Sequence, residues 1–530
     1  MKKYKVTFYP YNKSVEVLEG TTILSAALSG GIYINSICAG DGLCGKCRVF
    51  IRKTSGKKSC LACQATINSN LDVDIPLESR LDSPQLENNL FQLSDNQESA
   101  TYISGDFGLA VDIGTTTISA EIININEKSS LGVKTSYNRQ ASFGADIITR
   151  IIYATGSDGL DKLQRAVVFT INQLIRALAL ENKVNIKDVD FMVCAGNTTM
   201  IHLLLKKNPA YIRRDSFDPL KDNLPSLKAK EIGIDINPSG VIYSIPAVAS
   251  YVGGDTVAGI LSSGLYMKKG ISMLIDIGTN GEIALGNEEF IVSSAASAGP
   301  AFEGSGLKNG MRALPGAIEK VTIDPKNLSI DYKVIGGAQP LGICGSGYIS
   351  LLRNMLACGI IDKGGKIIKE DKRIRNSDFG KEFIVCFKED SLTKEEITVS
   401  EADLDNLKRA KAAIYSAASI LLKHMNFKVT DLENIFISGG FGTSLDIDSA
   451  IAIGLLPDAD RSIFSFLGNS ALAGAKEVLL SAEKLKRAEE LARQITYFDL
   501  STDAEYMNEY MAALFFPHTD LGRFPSIKNN

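Results

Sequence analysis

A unit made of a strand and a turn occurs twice in this chain of 530 residues. The segment Leu109-Ala-Val-Asp-Ile-Gly-Thr-Thr-Thr117 recurs as Met273-Leu-Ile-Asp-Ile-Gly-Thr-Asn280. In each copy an apolar run, typical of a buried strand, reaches an aspartate and continues into a glycine turn. Because a recurring unit indicates a repeated architecture, we expect two similar halves.

From residue 107 onward, strand-like runs alternate with helical stretches, which favours an α/β fold. The predicted buried strands, each followed by a glycine turn, are residues 109–113, 191–194, 273–277 and 435–438. Among the helices that separate them, residues 403–425 are the clearest, because apolar side chains recur there every three or four residues. An apolar content of 45% supports large cores in a chain of this length.

A smaller β-rich module is predicted before the α/β region. Alternating apolar and polar residues predict a hairpin, a short helix ends at two glycines, and two further strand-like runs follow. These segments are residues 3–10 and 14–19 for the hairpin, 22–29 for the helix, and 48–52 and 71–75 for the later strands.

Charge and composition divide the chain near its N-terminus. Residues 1–63 hold ten Lys and Arg against three Asp and Glu, whereas residues 64–100 hold one against seven. A polar stretch with isolated apolar residues is typical of a connector. We therefore predict an N-terminal module over residues 1–78, a connector over 79–105, and an α/β domain over 106–530 whose halves span about 106–265 and 270–530.

Five of the nine cysteines crowd between Cys38 and Cys63. Cys38, Cys44 and Cys47 lie on one glycine-rich loop, and Cys60 and Cys63 follow it. A 2Fe-2S cluster needs four thiolates that converge on two irons, and this loop supplies three of them. A structural zinc site would more often show two C-x2-C pairs, and free buried thiols are the other alternative. The pattern predicts a 2Fe-2S cluster whose fourth ligand is Cys60 or Cys63.

The spacing of these cysteines resembles that of plant-type and adrenodoxin-like ferredoxins, although the first gap is longer than in the plant pattern. This resemblance implies a β-grasp fold for the N-terminal module. It also favours Cys63 over Cys60, because those proteins carry the fourth ligand in a Leu-Ala-Cys-Gln context, which is present here at residues 61–64.

The two Asp-Ile-Gly-Thr turns suit phosphate chemistry. A carboxylate at the end of a strand can hold hydrated Mg2+, while glycine and threonine let a tight hairpin donate hydrogen bonds to phosphate oxygens. A third glycine turn, over residues 439–442, follows another predicted strand. The chain shows neither a P-loop nor a Rossmann fingerprint in the required context. The alternative is an unrelated α/β protein with glycine-rich turns.

Together these turns resemble the acetate and sugar kinase, Hsp70 and actin superfamily, whose two ribonuclease-H-like halves clamp ATP. That resemblance implies a first phosphate loop that begins at Asp112, a second that begins at Asp276, and a third turn that holds adenosine. The nucleotide-binding residues it implies are Gly114, Thr115, Thr116, Thr117, Gly278, Thr279, Asn280, Gly439, Gly440 and Gly442. Residues 195–200 and 468–474 would lie at the hinge.

Four further glycine- or proline-containing segments, together with the N-terminal module, resemble the reductive activators of corrinoid proteins over nearly the whole chain. These segments are residues 253–256, 298–304, 342–347 and 516–518. In that family an electron passes through the 2Fe-2S cluster to an inactive Co(II) corrinoid, giving methyl-accepting Co(I), while ATP is hydrolysed. The implied partners are a corrinoid protein of a methyltransferase system and a low-potential electron donor such as a ferredoxin.

Four carboxylates are the predicted catalytic residues. Asp112 and Asp276 end the repeated strands, and Asp255 and Glu303 lie in glycine-rich turns where they could orient Mg2+ or the attacking water. Asp255 and Glu303 could equally cap a helix or pair with a lysine.

Composition also indicates what the chain does not do. A net charge of −4 and a pI near 5.7 disfavour nucleic-acid binding. The sequence shows no predicted signal peptide or membrane span, so we expect a cytoplasmic protein. A homodimer is compatible with the sequence. The competing functions are activation of a radical dehydratase, phosphorylation of a small molecule, and a redox sensor that binds nucleotide as a switch.

Overall fold

A computed structural model describes most of the chain. The described residues are 2–36, 42, 45–53, 56–76, 79–81, 85–86, 105–213, 226–377, 380–440 and 445–527. Cys38, Cys44, Gly442 and most of the predicted connector lie outside them. Within this described part, no helix combines the length and the apolar character that a membrane crossing requires.

The N-terminal module is a five-stranded sheet covered by one helix. Its elements are β1 (Lys3–Tyr9), β2 (Lys13–Leu18), α1 (Ile23–Ser29), β3 (Arg48–Lys53), β4 (Gly56–Leu61) and β5 (Leu71–Asp74). The strand order is β2-β1-β5-β3-β4, with β1 and β5 parallel. Alternate strand residues such as Val6, Phe8 and Val73 join Ile23 and Ala27 of α1 in one buried core. The predicted hairpin, helix and β-grasp arrangement are confirmed.

The first half of the α/β region is built on a seven-stranded sheet. Its strands are β6 (Gln85–Leu86), β7 (Phe107–Ile113), β8 (Thr117–Asn124), β9 (Ser129–Tyr137), β10 (Val189–Gly196), β11 (Leu227–Lys228) and β12 (Val241–Ser244). Its helices are α2 (Ile147–Ala154), α3 (Gly159–Asn182), α4 (Thr198–Leu204), α5 (Ala229–Ile232) and α6 (Gly254–Ser263). The strands run in the order β11-β12-β10-β7-β8-β9-β6.

The second half contains a six-stranded sheet and two three-stranded sheets. Its strands are β13 (Ser272–Ile277), β14 (Gly281–Gly286), β15 (Ile291–Ala296), β16 (Ala317–Ile323), β17 (Ile330–Val334), β18 (Gly342–Ile343), β19 (Ile374–Ser377), β20 (Gly380–Cys386), β21 (Ile397–Ser400), β22 (Asn434–Gly439), β23 (Phe464–Gly468) and β24 (Thr496–Tyr497). Its helices are α7 (Gly345–Ala357), α8 (Glu401–His424), α9 (Ile447–Ala452), α10 (Ser470–Leu480), α11 (Ala482–Gln494) and α12 (Tyr506–Ala513). The large sheet has the order β23-β22-β13-β14-β15-β24.

The two large sheets share one core topology. In the first, β7 pairs antiparallel with β8 and parallel with β10, which pairs parallel with β12. In the second, β13 pairs in the same way with β14 and with β22, which pairs parallel with β23. Each Asp-Ile-Gly-Thr turn therefore follows the central strand of its own sheet. This repetition confirms the predicted pair of ribonuclease-H-like halves.

Helix α8 confirms the helix that was predicted from apolar residues at every third or fourth position. Ser400 caps its N-terminus in a reciprocal capping box with Asp403, and the predicted apolar positions are buried against the second half. The helix begins at Glu401 and ends at His424, close to the predicted residues 403–425.

Helices α6 and α10 pack against each other between the two large sheets. Val257 and Leu261 of α6 share a buried cluster with Ala475 and Leu479 of α10. A Cβ on Gly474 would lie 2.2 Å from the carbonyl oxygen of Ala258, so this close helix approach requires glycine. The halves are thus joined through a helix pair that begins beside the cleft between the two sheets.

The N-terminal module contacts both halves. The Ser142 hydroxyl of the first half donates to the carbonyl of Ile34 at 3.2 Å. Lys46 stands between Cys44 and Cys47 in the sequence. Its ammonium group donates to the carbonyl of Gly310 in the second half at 3.0 Å. Gly42, Gly45 and Lys46, the described part of the cysteine loop before Cys47, also line the cleft between the halves.

Candidate functional site

One large cleft of about 1950 Å³ lies between the halves. It is lined by thirteen of the predicted residues: Asp112, Gly114, Thr115, Thr116, Thr117, Asp255, Asp276, Gly278, Thr279, Asn280, Glu303, Gly439 and Gly440. Segments that are distant in sequence therefore meet in one place, as the repeated turns predicted. Of the predicted nucleotide-binding residues, Gly442 lies outside the described part of the chain.

The hairpin of residues 114–117 between β7 and β8, which we call the first phosphate hairpin after its predicted role, is tight and rich in hydroxyl groups. A Cβ on Gly114 would lie 2.7 Å from the carbonyl oxygen of Thr117, so the turn requires glycine. The Asn197 amide donates to the Thr115 hydroxyl at 3.1 Å. Asn197 also caps α4, which fixes its side chain against the hairpin.

The second phosphate hairpin, residues 278–280 between β13 and β14, meets the first one at its tip. The hydroxyl oxygens of Thr116 and Thr279 are 2.7 Å apart. Thr279 also donates to the Glu303 carboxylate at 2.8 Å. The two hairpins therefore contact each other at their tips within the cleft.

The glycine turn after β22 completes this edge of the cleft. Gly439 has a φ of +129°, and a Cβ there would lie 2.4 Å from the carbonyl oxygen of Ile277. The preceding Ser438 donates to the Asp276 carboxylate at 3.2 Å. Glycine thus lets β22 pass close to the end of β13 while its serine contacts the aspartate.

Carboxylates crowd the second-half side of the cleft. Burial, followed by the negative charge of Asp255, raises the pKa of Asp276 to about 7. Burial likewise raises the pKa of Asp255 to about 6. The pKa of Glu282 lies well above its ordinary value, because the residue is buried beside Asp255 and Asp276. A cation or a proton would relieve this repulsion.

Glu303 shares this environment from the 3-10 helix Pro300–Glu303. Its pKa is raised by burial, while hydrogen bonds from Thr279 and Thr116 and the charge of Arg312 act in the opposite direction. Asp112 faces the group from the first half and accepts a hydrogen bond from the Asn469 amide at 2.8 Å.

Several cleft residues were not identified from the sequence. Glu282 lies on β14 directly opposite Asp276, and a charged residue in an otherwise apolar strand was the available signal. Asn197 and Asn469 cap helices within the two predicted hinge segments, but their contacts with Thr115 and Asp112 were not predicted. Arg312 lines the cleft 5.8 Å from the centre of the Tyr137 ring, and no motif marked it.

Two of the predicted cluster cysteines converge in the N-terminal module. The sulfur atoms of Cys47 and Cys63 lie 3.3 Å apart, and both residues are buried. Cys60 lies on β4 opposite Val49, and burial raises the pKa of its thiol. The other two predicted ligands, Cys38 and Cys44, lie outside the described residues.

Three family descriptions match successive parts of the chain. They are the 2Fe-2S iron-sulfur cluster binding domain over residues 6–68, the RACo middle region over 107–268, and the C-terminal domain of RACo, the ASKHA domain, over 270–528. The ASKHA domain is the superfamily that the repeated turns resemble. The matches follow the same order as the N-terminal module and the two halves.

Individual proteins match over most of their length. The corrinoid activation enzyme RamQ of Eubacterium limosum is 29% identical, over 97% of this chain and 99% of that protein. The [Co(II) methylated amine-specific corrinoid protein] reductase of Methanosarcina barkeri is 26% identical over 77% of each protein. A solved structure of a reductive activator for corrinoid, iron-sulfur protein is 38% identical, with a TM-score of 0.78, over 99% of this chain and 100% of that one.

The motifs, the repeated topology and these full-length similarities agree. The predicted resemblance is therefore confirmed, and so is the arrangement of a 2Fe-2S module ahead of an ATPase of the acetate and sugar kinase, Hsp70 and actin superfamily. This chain belongs to the family of reductive activators of corrinoid proteins.

Proposed function

We propose that, in the ATP-dependent reductive activation of a corrinoid protein, the two halves bind ATP between them while the N-terminal module delivers the electron. The acceptor is the inactive Co(II) of the corrinoid, and the product is methyl-accepting Co(I). The main support for these two roles is that both halves and the N-terminal module line the same cleft. Its wall includes both phosphate hairpins and also Lys46, Arg48 and Cys60 of the N-terminal module.

The proposed 2Fe-2S ligands are Cys38, Cys44, Cys47 and Cys63. The convergence of Cys47 and Cys63 supports this set. So do the positive φ values of Gly42 (+79°) and Gly45 (+67°), because a loop that wraps a cluster needs such sharp turns. Bound there, the cluster would supply one-electron transfer.

Absorption spectra of two cysteine variants test the fourth ligand. Cys63→Ala should lose the visible absorption of the cluster because one iron would lack a thiolate, whereas Cys60→Ala should retain it. An intact spectrum in the Cys63 variant, with loss in the Cys60 variant, would reverse the assignment.

The nucleotide would lie with its phosphates between the two phosphate hairpins. We assign phosphate contacts to Gly114, Thr115, Thr116, Thr117, Gly278, Thr279 and Asn280, and adenosine contacts to Gly439, Gly440 and Gly442. The close approach of the two hairpins at Thr116 and Thr279 supports binding from both sides. Backbone N–H groups and hydroxyls of such turns are suited to phosphate oxygens.

Asp112 and Asp276 are the proposed Mg2+ contacts, with Asp255 and Glu303 orienting the attacking water. Within the described residues, no three carboxylates, thiols or imidazoles are arranged to hold a metal ion by themselves. This agrees with the usual behaviour of Mg2+, which takes one or two carboxylates and completes its shell with phosphate oxygens and water. Burial and the charge of Asp255 raise the pKa of Asp276 to about 7 in the metal-free protein, and a bound cation would relieve this repulsion.

ATP is needed because the reduction is unfavourable. Plant-type clusters have potentials near roughly −400 mV, and each ~59 mV of uphill one-electron transfer costs a factor of ten. Closure of the two halves on ATP would change how the corrinoid protein docks, so that the reduced state is retained. The helix pair α6 and α10 joins the halves and is the proposed pivot.

The electron donor and the assembly state complete the proposal. The excess of Lys and Arg over residues 1–63 suits an acidic, low-potential donor such as a ferredoxin. A donor-reduction rate that does not change with ionic strength would contradict this docking. We also propose a cytoplasmic protein that can act as a homodimer.

Formation of Co(I) can be followed directly by ultraviolet-visible spectroscopy. A candidate corrinoid protein is mixed with this protein and a strong chemical reductant, with and without MgATP. Co(I) should accumulate only when MgATP is present, and Cys63→Ala should prevent it. Equal Co(I) formation without MgATP would refute the proposed role of the nucleotide. A phosphorylated small-molecule product, or activation of a dehydratase instead, would favour the competing functions.

A further inference from the structure

A short turn that follows β9 contacts both the first phosphate hairpin and the N-terminal module. It consists of Asn138 and the 3-10 helix Arg139–Ser142, and we call it the coupling turn. We infer that the coupling turn links nucleotide binding at the first phosphate hairpin to docking of the N-terminal module on the first half. This inference rests on the proposed function only in taking that hairpin as a nucleotide site.

One end of the coupling turn is bonded to the phosphate hairpin. The backbone N–H of Asn138 donates to the carbonyl of Thr116 at 2.8 Å. Its side-chain amide donates to the carbonyl of Gly114 at 2.9 Å, and the residue is fully buried. A phosphate that orders this hairpin would therefore also order Asn138.

The middle of the turn is held by buried polar side chains. Gln140 accepts from Asn138 at 3.2 Å and donates to the carbonyl of Leu163 at 3.0 Å. The Arg150 guanidinium donates to Gln140 at 3.4 Å and to the carbonyl of Gly144 at 3.0 Å. Gln140 and Arg150 are fully buried, so the turn cannot deform without the loss of hydrogen bonds. A displacement at one end is thus passed to the other.

The docking interface with the N-terminal module is formed by Arg139, which directly follows Asn138, and by Ser142 at the far end of the turn. The Arg139 guanidinium lies over the ring of Tyr33 at 4.7 Å and over the ring of Phe169 at 4.0 Å. The Tyr33 and Phe169 rings are 6.0 Å apart, and Ser142 donates to the carbonyl of Ile34. Two side chains of the coupling turn therefore contact adjacent residues of the module.

Those adjacent residues lead directly into the cysteine loop. Tyr33 and Ile34 precede Cys38, and the beginning of the predicted connector pairs with them through the bridge of Ile34 to Arg80 and the hydrogen bond of Leu81 to Tyr33 at 3.3 Å. Docking at Tyr33 and Ile34 thus holds the residues that come shortly before Cys38 in the sequence and, through Arg80 and Leu81, the start of the connector.

The docking interface is incompletely packed. A cavity of about 470 Å³ lies along it, lined by Tyr33, Arg139, Phe169 and Gln173 among others. Contacts beside such a space open at a lower free energy than contacts within a packed core. Because coupling between two sites is reciprocal, nucleotide that stabilises docking must itself bind more tightly when the module is docked.

Hydrogen exchange of the full-length protein measures the docking. Saturation with a non-hydrolysable ATP analogue should slow amide exchange over residues 32–36 by a factor of about five, the lower end of typical couplings. In Arg139→Ala this effect of the analogue should disappear, because the turn no longer holds Tyr33. Arg353→Ala is the matched control, since this arginine of α7 pairs with Asp446 in the second half and lines neither the cleft nor the interface cavity.

Nucleotide affinity provides the reciprocal measurement. Arg139→Ala and Tyr33→Ala should each weaken ADP binding about fivefold in calorimetry, although neither residue lines the cleft. The double variant should bind no more weakly than either single one, because both changes break the same contact. Two variants on opposite sides of the interface keep the test valid if one of them folds poorly, and the visible spectrum of the cluster reports an intact module.

The outcomes separate this inference from the proposed function. Normal nucleotide binding in the wild-type protein, together with unchanged exchange over residues 32–36 and unchanged affinity in both variants, would overturn the coupling alone. Absence of any nucleotide binding in the wild-type protein would overturn both the proposed function and the coupling.

Discussion

The two phosphate hairpins have the same backbone plan and different neighbours. Asp112 lies opposite Ser119 on the adjacent strand, whereas Asp276 lies opposite Glu282. Asparagine amides surround the first hairpin, while carboxylates crowd the second. The repeated backbone thus presents two similar turns to the cleft, and the side chains of neighbouring strands give them different surroundings. Phosphate and Mg2+ contacts are proposed for both, and the proposed difference is that asparagine amides support the first hairpin whereas a cluster of buried carboxylates surrounds the second.

The largest expected effect comes from neutralising the second-half aspartate. Asp276→Asn should lower ATP hydrolysis at least about 100-fold, because it removes a proposed contact to Mg2+, whose charge stabilisation contributes several kcal/mol. Initial rates of phosphate release at saturating MgATP measure this. Asp331→Asn, an exposed aspartate of β17, is the matched control and should retain the wild-type rate. A decrease of less than about fivefold in Asp276→Asn would remove the proposed difference between the hairpins.

The same variant should change how stability depends on pH. Because the pKa of Asp276 is raised to about 7 in the folded protein, the folded state binds more protons than the unfolded one between about pH 4 and pH 7. Its contribution to stability is therefore present below pH 4 and is lost as the pH rises through 7. At pH 8, Asp276→Asn should raise the free energy of unfolding by about 1–3 kcal/mol, with a smaller gain at pH 5.

Urea denaturation of the nucleotide-free protein at both pH values provides the measurement. Ser119→Ala is the first-half comparison and should show no such pH-dependent gain, because it removes no charge. A larger gain for Asp276→Asn at pH 5 than at pH 8 would contradict the assigned pKa direction.

A smaller effect is expected at the first-half aspartate. Asn469→Ser keeps a residue that can cap α10 but removes the amide that donates to Asp112. A hydrogen bond to a charged group contributes about 1.5–3 kcal/mol, so ATP hydrolysis should fall about tenfold. Asn434→Ser, at the beginning of β22, is the control because its amide donates to Ser272 outside the cleft. Equal losses in the two variants would indicate a general effect on folding.

The smallest effect should come from the residue opposite Asp112. The Ser119 hydroxyl is within hydrogen-bonding distance of Thr135 at 2.8 Å and carries no charge, so Ser119→Ala should change ATP hydrolysis by about threefold or less. Glu282→Gln, at the corresponding place opposite Asp276, should have the larger effect of the two. The reverse order in steady-state rates would show that the neighbouring strand does not determine the difference between the halves.

Apolar runs and the internal repeat predicted the central strands and the two halves of the α/β region. The apolar runs before each glycine turn correspond to β7, β10, β13 and β22, and the repeat identified the two halves because both copies occupy the same place in their sheets. Strand β4 was missed because it is rich in lysine and largely exposed, so it lacks an alternating apolar face. The small sheets of the second half likewise carry no repeated signal.

The candidate site was predicted in part for a similar reason. Glycine, threonine and aspartate at the ends of strands can be recognised from sequence alone, so thirteen of the residues that line the cleft could be named. The contacts of Glu282 with Asp276 and of Arg139 with Tyr33 depend on how separate strands and modules meet, which local spacing does not contain. The roles of the individual residues and the boundaries at residues 78 and 105 stay predictions.

The contact between α6 and α10 also offers a way to engineer this protein. Since no Cβ separates Gly474 from Ala258, a single added methyl group there would act as a wedge between the helices that join the halves. Gly474→Ala should therefore splay the clamp without touching a nucleotide contact. A chain fixed in that open form would be a useful reagent, because it would retain its redox module while lacking the closed state that ATP favours.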